Sequence, residues 1–198
     1  MSLPGDRFWA IARPWAAPMF KVGLRIRTSG AQNVPRSGPV LFVANHQSLW
    51  DIPAIGASQP RVIRYMAKAE LFHPRPWGAF IRFGGSFPVR RGEPDRDALR
   101  TVHDTLQRGG TVGVFIQGHR QEGVDDAKAG AGRMAVVEDA PVVHVAIKSR
   151  NWKPGRPIQV AFGEPRRYER DGRRASQAYR ETADEMMAEI RRLYEQLP

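Results

Sequence analysis

The segment from Asn45 to Asp51, with the sequence NHQSLWD, contains the residue types that acid–base chemistry requires. If the loop folds Asp51 onto His46, the carboxylate accepts a hydrogen bond from one ring nitrogen, fixes the tautomer and stabilises the imidazolium. The other ring nitrogen can then take a proton from a substrate hydroxyl. The residues from Ser48 to Asp51 also fit a capping box, in which Asp51 only closes a helix N-terminus.

The elements around this segment are predicted to form an α/β fold. The apolar run Val40–Ala44 predicts a buried strand before the segment, and a helix is predicted to begin near Asp51. Further strands are predicted over 61–67, 86–90, 111–116, 142–147 and 158–162, and helices over 76–83, 95–108, 132–138 and 174–197. This alternation predicts a single layered domain whose mostly parallel or mixed central sheet is flanked by helices.

The composition restricts the class of protein. The chain has 198 residues and no cysteine, which excludes a disulfide scaffold, a thiolate metal cluster and a cysteine nucleophile. Its five histidines are scattered, so we expect no metal site. Lys and Arg number 31 against 20 Asp and Glu, giving a net charge of +11. This excess indicates an anionic partner, such as nucleic acid, lipid headgroups or a phosphorylated substrate, unless it is only a solvated basic surface.

The N-terminal residues 1–28 differ in character from residues 29–198, which are predicted to form the main domain. Aromatic residues alternate here with basic ones, and Pro14 and Pro18 interrupt the apolar stretch. No run approaches the roughly 18 to 20 apolar residues that cross a bilayer, and no secretory signal is evident. The pattern predicts an amphipathic helix at an anionic membrane interface. The alternative is a helix packed on the domain.

Four sequence blocks in order resemble the glycerolipid acyltransferases, a family typified by lysophosphatidate acyltransferase. The segment Asn45–Asp51 resembles the first block, N-H-x4-D, and residues 84–90 (GGSFPVR) resemble the second, G-x-x-F-x-x-R. Residues 115–120 (FIQGHR) resemble the third, F-P-E-G-T-R, and residues 140–145 (APVVHV) resemble the fourth, V-P-V-V-P-V. The similarity covers roughly residues 30 to 165 of the chain.

The resemblance implies an acyl transfer from acyl-CoA or acyl carrier protein to the hydroxyl of a lysophospholipid, most simply lysophosphatidate. It assigns the role of general base to His46, with Asp51 orienting its ring, and it implies no metal and no cofactor beyond the donor. It also implies substrate binding, including binding of the acceptor's phosphate, by Asn45, Lys68, Arg90, Gln117, Gly118 and Arg120.

Three positions depart from the family blocks. Gln117 stands where the family usually has Glu, His119 where it usually has Thr, and His144 where it usually has Pro. Gln117 keeps hydrogen-bonding capacity but loses the charge. Because His144 lies inside an apolar strand, we expect it to be a hydrogen-bonded core histidine.

The expected partners are a lysophospholipid acceptor, an acyl thioester donor and an anionic membrane surface. We therefore expect a peripheral or monotopic enzyme on the cytoplasmic side of the cell membrane. An alternative is a catalytically silent family member that binds anionic lipids or a protein partner. A nucleic-acid-binding domain is the weakest alternative, because no zinc-finger spacing or RNA-binding aromatic motif accompanies the charge.

Overall fold

The computed structural model describes residues 6–73, 75–83, 85–90, 95–120, 124, 127–150 and 152–198. Gly84, the first residue of the second block, lies outside the described residues. Within them, the strands are β1 Arg27–Ser29, β2 Val40–Ala44, β3 Ile63–Lys68, β4 Phe87–Val89, β5 Thr111–Phe115, β6 Val142–Lys148 and β7 Gln159–Phe162. They form one sheet in the order β1-β7-β6-β2-β5-β3-β4.

The sheet is mixed. Strand β2 is parallel to both β5 and β6, and β3 is parallel to both β4 and β5. Strand β7 runs antiparallel to β6, and β1 is parallel to β7. The prediction of a single α/β domain with a mixed, helix-flanked sheet is therefore confirmed. Five strands, β2 to β6, consequently end at the same edge of the sheet.

The central strands are apolar because both faces of the sheet are covered. In β2, Leu41 and Val43 belong to one core cluster, whereas Val40 and Phe42 belong to the cluster on the opposite face. All five residues of β2 are buried. A continuous apolar run is typical of a parallel strand buried on both sides.

The helices are α1 Asp6–Gly23, α2 Asp51–Ser58, α3 Arg75–Phe83, α4 Arg96–Gln107, α5 Ala129–Val137 and α6 Ala175–Glu195. Residues of α4, α5 and α6 pack on one face of the sheet, and residues of α2 pack on the other. Helices α5 and α6 approach so closely at Gly132 that a Cβ there would lie 1.9 Å from the carbonyl oxygen of Tyr179. Only glycine fits this contact.

Most predicted elements exist within a few residues of their predicted bounds, and two differ. Strand β1 lies wholly in a stretch without a strand prediction, because its three residues are polar and exposed and pair only through the backbone. Helix α5 begins at Ala129, three residues before the prediction. The N-terminal segment is helical over Asp6–Gly23 although Pro14 and Pro18 lie inside the helix.

Candidate active site

The loop between β2 and α2 brings His46 and Asp51 together. His46 Nδ1 donates a hydrogen bond of 2.7 Å to Asp51 Oδ2. Asp51 is fully buried, whereas His46 keeps 9% of its surface exposed. The carboxylate thus occupies the position that orients an imidazole and stabilises its protonated form. The nitrogen not bonded to Asp51 is Nε2.

Several donors hold the Asp51 carboxylate in place. Oδ2 also accepts from the backbone N–H groups of Gln47, at 2.7 Å, and Ser48, at 3.0 Å. Oδ1 accepts from the Ser149 hydroxyl, and the Ser48 hydroxyl oxygen lies 3.2 Å from Oδ1. Donors of this kind offset the cost of burying a charge. Asp51 therefore combines the two roles that the sequence suggests. It accepts from loop N–H groups as in a capping box, and it also binds His46.

Ser149 is a residue of the site that the sequence analysis missed. It follows β6, is buried, and contacts Asp51 although 98 residues separate them in the chain. It also accepts a hydrogen bond of 2.9 Å from the Ser48 hydroxyl. The only sequence signal for Ser149 is its position directly after an apolar strand. That β6 lies beside β2, so that Ser149 comes close to Asp51, becomes known only from the strand order of the sheet.

Two buried amides fix the backbone beside His46. The Asn45 side chain donates to the carbonyl of Ile147 at 2.9 Å and accepts from its N–H at 2.8 Å. Gln117 Oε1 accepts from the backbone N–H of His46 at 2.8 Å. Both side chains have no exposed surface, so the contacts that they show are with the protein. Their assignment to substrate binding stays a prediction.

An aromatic stack supports the His46 ring. The ring centroids of His46 and Phe115 are 3.9 Å apart at an angle of 16°, and the Tyr65 ring lies 5.6 Å beyond Phe115 at 13°. The Tyr65 hydroxyl is buried and has no hydrogen-bond partner among the described residues. Burial raises the pKa of Tyr65, and the nearby charge of Asp51 raises it further, so the phenol stays neutral.

The predicted phosphate-binding cations lie along the same edge of the sheet. Lys68 is the last residue of β3, and its Nζ lies 3.1 Å from Glu70 Oε1. Arg90 directly follows β4, and its side chain is 62% exposed. Arg120 is exposed in the loop after β5. Parallel pairing places the ends of β5, β3 and β4 in succession beside β2, so all three cations lie on one side of His46.

The loop after β5 turns at Gly118. This residue has a φ of +74°, a conformation that favours glycine, and its N–H donates to the carbonyl of Phe115 at 3.0 Å. His119 and Arg120 follow on the exposed side of the turn. The turn is tight, and the contact of Gly118 with a substrate stays a prediction.

Comparison with known proteins places this site in a family. A family model described as Acyltransferase matches residues 25–148, which include the His46–Asp51 loop, Gln117 and all of β6. The chain belongs to the acyltransferase family. The resemblance seen in the four sequence blocks and the expectation of an O-acyltransferase are confirmed at this level.

The acyltransferase is similar to several characterised relatives. It is 29% identical over 146 residues to a 1-acyl-sn-glycerol-3-phosphate acyltransferase of Bacillus subtilis, covering 71% of this chain and 73% of that protein. It is 35% identical over 119 residues to a lyso-ornithine lipid O-acyltransferase of Pseudomonas aeruginosa, covering 58% of this chain and 42% of that protein. The match therefore spans less than half of the second relative.

The fold of the acyltransferase is shared with a solved structure. The 1-acyl-sn-glycerophosphate (LPA) acyltransferase PlsC from Thermotoga maritima superposes with a TM-score of 0.68 at 24% identity. The superposition covers 96% of this chain and 83% of that one. No helix among the described residues combines the length and apolar character that crossing a bilayer requires.

Proposed function

We propose that the acyltransferase moves a fatty acyl group from an acyl thioester to the free hydroxyl of a lysophospholipid, with lysophosphatidate as acceptor and phosphatidate as product. The observation that carries the proposal is the hydrogen bond between His46 and the buried Asp51, at the end of a central strand. The similarity to the 1-acyl-sn-glycerol-3-phosphate acyltransferase of Bacillus subtilis supports the choice of acceptor.

The proposed mechanism uses His46 as a general base. His46 Nε2 takes the proton of the acceptor hydroxyl while the oxygen attacks the thioester carbonyl carbon. Asp51 stabilises the imidazolium that forms, and the buried donors around Asp51 keep the ring in this orientation. Collapse of the tetrahedral intermediate breaks the carbon–sulfur bond, and the imidazolium returns the proton to the leaving thiolate. No acyl-enzyme forms, because the acceptor itself attacks the donor.

The cations beyond β5 suit an acceptor that carries a phosphate. Arg guanidinium groups bind phosphate oxygens in a bidentate manner, and Lys contributes a compact charge. Lys68, Arg90 and Arg120 are exposed, so they are accessible to a lipid headgroup. The donor is acyl-CoA or acyl carrier protein, and the reaction needs no other cofactor.

A second acceptor is a lyso-ornithine lipid. One observation favours it, the 35% identity to an enzyme of that name. Such an acceptor also presents a free hydroxyl, so the chemistry at His46 is unchanged. The two acceptors differ in their need for phosphate-binding cations.

The decisive experiment compares wild type with His46→Ala, using palmitoyl-CoA and a panel of lysophosphatidate, lyso-ornithine lipid and other lysolipids in detergent. We expect thiol release and a product of the expected mass with wild type only. His103→Ala is the matched control, because His103 is exposed on α4 and pairs with Glu138. Full turnover by His46→Ala would contradict the mechanism. Failure of wild type with every donor and acceptor, with anionic vesicles still bound, would favour the catalytically silent alternative.

We also propose that α1 attaches the enzyme to an anionic membrane on the cytoplasmic side of the cell. Four apolar residues form an exposed stripe along one face of this helix: Ile11, Trp15, Met19 and Val22. Trp15 is 80% exposed and Val22 is 78% exposed. Lys21 and Arg25 flank the stripe. Apolar and aromatic groups with basic flanks suit the headgroup interface.

Vesicle sedimentation tests this attachment. We expect Trp15→Ser to weaken binding to anionic vesicles about tenfold and Val22→Ser about threefold, because each removes apolar area from the interface. Val137→Ser is the matched control, since Val137 is exposed on α5 at the opposite face of the sheet. Equal losses for the two valine variants, or binding that does not fall with salt, would contradict the proposal.

A further inference from the structure

A cavity of about 340 Å³ lies at the carboxyl edge of the sheet, on the other side of β2 from Lys68, Arg90 and Arg120. We call it the β6–β7 cavity. Its described lining residues include Gln47, Lys148, Ser149, Arg150, Trp152, Arg156 and Tyr194. None of the four family blocks assigns a role to these residues, apart from the place of Gln47 in the first.

The β6–β7 cavity is directly connected to the catalytic pair. Gln47 follows His46, and its side chain accepts from the Ser149 N–H at 3.1 Å and donates to the Tyr194 hydroxyl at 3.0 Å. Ser149 in turn donates to Asp51 Oδ1. The wall of the cavity is therefore one residue away from both His46 and the carboxylate that holds it.

The lining of the cavity is cationic. Lys148, Arg150 and Arg156 contribute three positive charges, and no Asp or Glu side chain is among the lining residues that the structure describes. Lys148 Nζ donates to the carbonyl of Leu197 and lies 5.0 Å from the centroid of the Tyr194 ring. Three cations that line one cavity favour the binding of an anion there, and Arg favours phosphate oxygens.

The cavity also has an aromatic wall. The Trp152 indole N–H donates to the carbonyl of Arg156 at 2.8 Å, and its ring lies 5.1 Å from that of Trp50. These contacts hold the indole and Arg156 together at the rim. This wall suits a ligand in which a phosphate is joined to an organic chain, because the cation can bind the phosphate while the aromatic face contacts the chain.

An acyl transfer has two substrates, and both meet at His46. Under the proposed function, the cations on β3, β4 and the β5 loop bind the acceptor. The cations of the β6–β7 cavity lie on the opposite side of His46 and remain for the donor. Acyl-CoA and acyl carrier protein share one feature, a phosphate on the pantetheine arm whose far end carries the thioester.

We propose that the β6–β7 cavity binds the phosphate of the donor's phosphopantetheine arm, through Arg150 and Arg156 with Lys148. The arm then runs past Gln47 and places the thioester at His46. This inference rests on the proposed function, and it adds a donor site that lies apart from the acceptor cations.

Steady-state kinetics with Arg150→Ala and Arg156→Ala tests the assignment. We expect KM for palmitoyl-CoA to rise about tenfold in each variant, as for the loss of a charge-assisted hydrogen bond, with the KM for the lysolipid unchanged. Lys153→Ala is the matched control, because Lys153 lies in the same loop, is exposed and does not line the cavity. A rise in the acceptor KM alone, or an equal effect of Lys153→Ala, would overturn the proposal.

Calorimetric titration separates this proposal from the proposed function, since it needs no turnover. CoA and holo acyl carrier protein are titrated into wild type and Arg156→Ala, with folding of both proteins checked by circular dichroism. We expect at least one of the two to bind wild type and to bind Arg156→Ala about tenfold more weakly, whatever the acceptor assays give. Binding of neither to wild type, or equal binding to both proteins, would overturn the site.

Dephospho-CoA identifies the phosphate. It retains the phosphate on the pantetheine arm and lacks only the phosphate on the ribose. We expect the effect of Arg156→Ala to persist with dephospho-CoA. Loss of the effect would assign the cavity to the ribose phosphate and overturn the proposal in its present form.

Discussion

His46 lies in the loop after β2, whereas His144 lies on the neighbouring parallel strand β6, and the two have different surroundings. His46 directly follows Asn45 at the end of β2, and His144 pairs with Val43 inside the β2–β6 ladder. His46 binds a carboxylate through Nδ1 and keeps 9% of its surface exposed. His144 has no exposed surface, shares a hydrogen bond of 2.9 Å with the Tyr168 hydroxyl through Nε2, and leaves Nδ1 without a partner among the described residues.

The difference shows what turns a buried histidine into a candidate base. The pKa of His144 is lowered to about 4; burial is the largest cause, the charge of Glu189 acts in the opposite direction, and the charge of Arg166 contributes a smaller lowering. A neutral ring without access to solvent or substrate can only pack and hydrogen-bond, as the sequence analysis predicted for this position. At His46, a carboxylate stabilises the protonated ring and an exposed edge remains.

Substitution of the two histidines is the strongest test of this comparison. We expect His46→Ala to lower kcat about 10³-fold, the usual contribution of a general base, with little change in the unfolding midpoint. His144→Ala should do the opposite, because it leaves a cavity in the core and does not touch the reacting groups. Activity assays and urea unfolding of both variants measure this. An equal loss of activity in the two variants would remove the distinction.

Protonation of His144 should make the free energy of unfolding depend on pH. Its folded pKa of about 4 lies below the ordinary value of 6.5, so the unfolded chain binds a proton more tightly than the folded protein between these pH values. The free energy of unfolding should therefore fall as pH is lowered from about 6.5 to about 4, by up to about 3 kcal/mol from this group.

Urea unfolding at pH 7 and pH 4.5 checks the prediction for His144. His144→Gln is the control, because it keeps a hydrogen-bonding group near Tyr168 but cannot take up a proton. The wild type should lose more stability than the variant between the two pH values. The same loss in both would show that other groups, such as Glu189, determine the dependence.

Asp51→Asn tests the same comparison by changing the hydrogen-bond partner of His46. The amide keeps the volume but cannot stabilise an imidazolium, and it accepts fewer of the loop N–H bonds. We expect kcat to fall about 10²-fold. Tyr168→Phe, which removes the partner of His144, should leave kcat unchanged. Comparable losses of activity in the two variants would mean that the partner's charge does not matter.

Gln117 gives the smallest expected effect. Removing its Oε1 leaves the buried N–H of His46 without an acceptor, which costs about 1–3 kcal/mol, so Gln117→Ala should lower kcat about tenfold. Gln117→Glu restores the family residue and an acceptor oxygen, and kcat should stay within about threefold of wild type. Assays with lysophosphatidate measure both. No loss in Gln117→Ala would assign the residue a purely spatial role.

More of the fold than of the candidate site could be predicted from the sequence. Runs such as Val40–Ala44 identify central strands because burial on both faces demands apolar residues. The edge strand β1 has no such requirement, since its residues are exposed. Within the site, His46 and Asp51 are five residues apart, so a short loop brings them together. Ser149 and the cations of the β6–β7 cavity come from distant segments, and only the strand order places them next to His46.

The side-chain amide of Asn45 makes the hydrogen bonds that a backbone peptide group would otherwise make to β6. Its oxygen and nitrogen pair with the N–H and C=O of Ile147, as the backbone of β2 would have done had the strand continued by one more residue. The backbone itself is thereby released to turn away while the ladder to β6 stays complete. The sheet can therefore end abruptly before His46 without leaving the N–H and C=O of Ile147 unpaired, and the reactive ring projects from a rigid edge. An aspartate at this position would supply the acceptor but no donor, which explains why an amide suits the start of this loop.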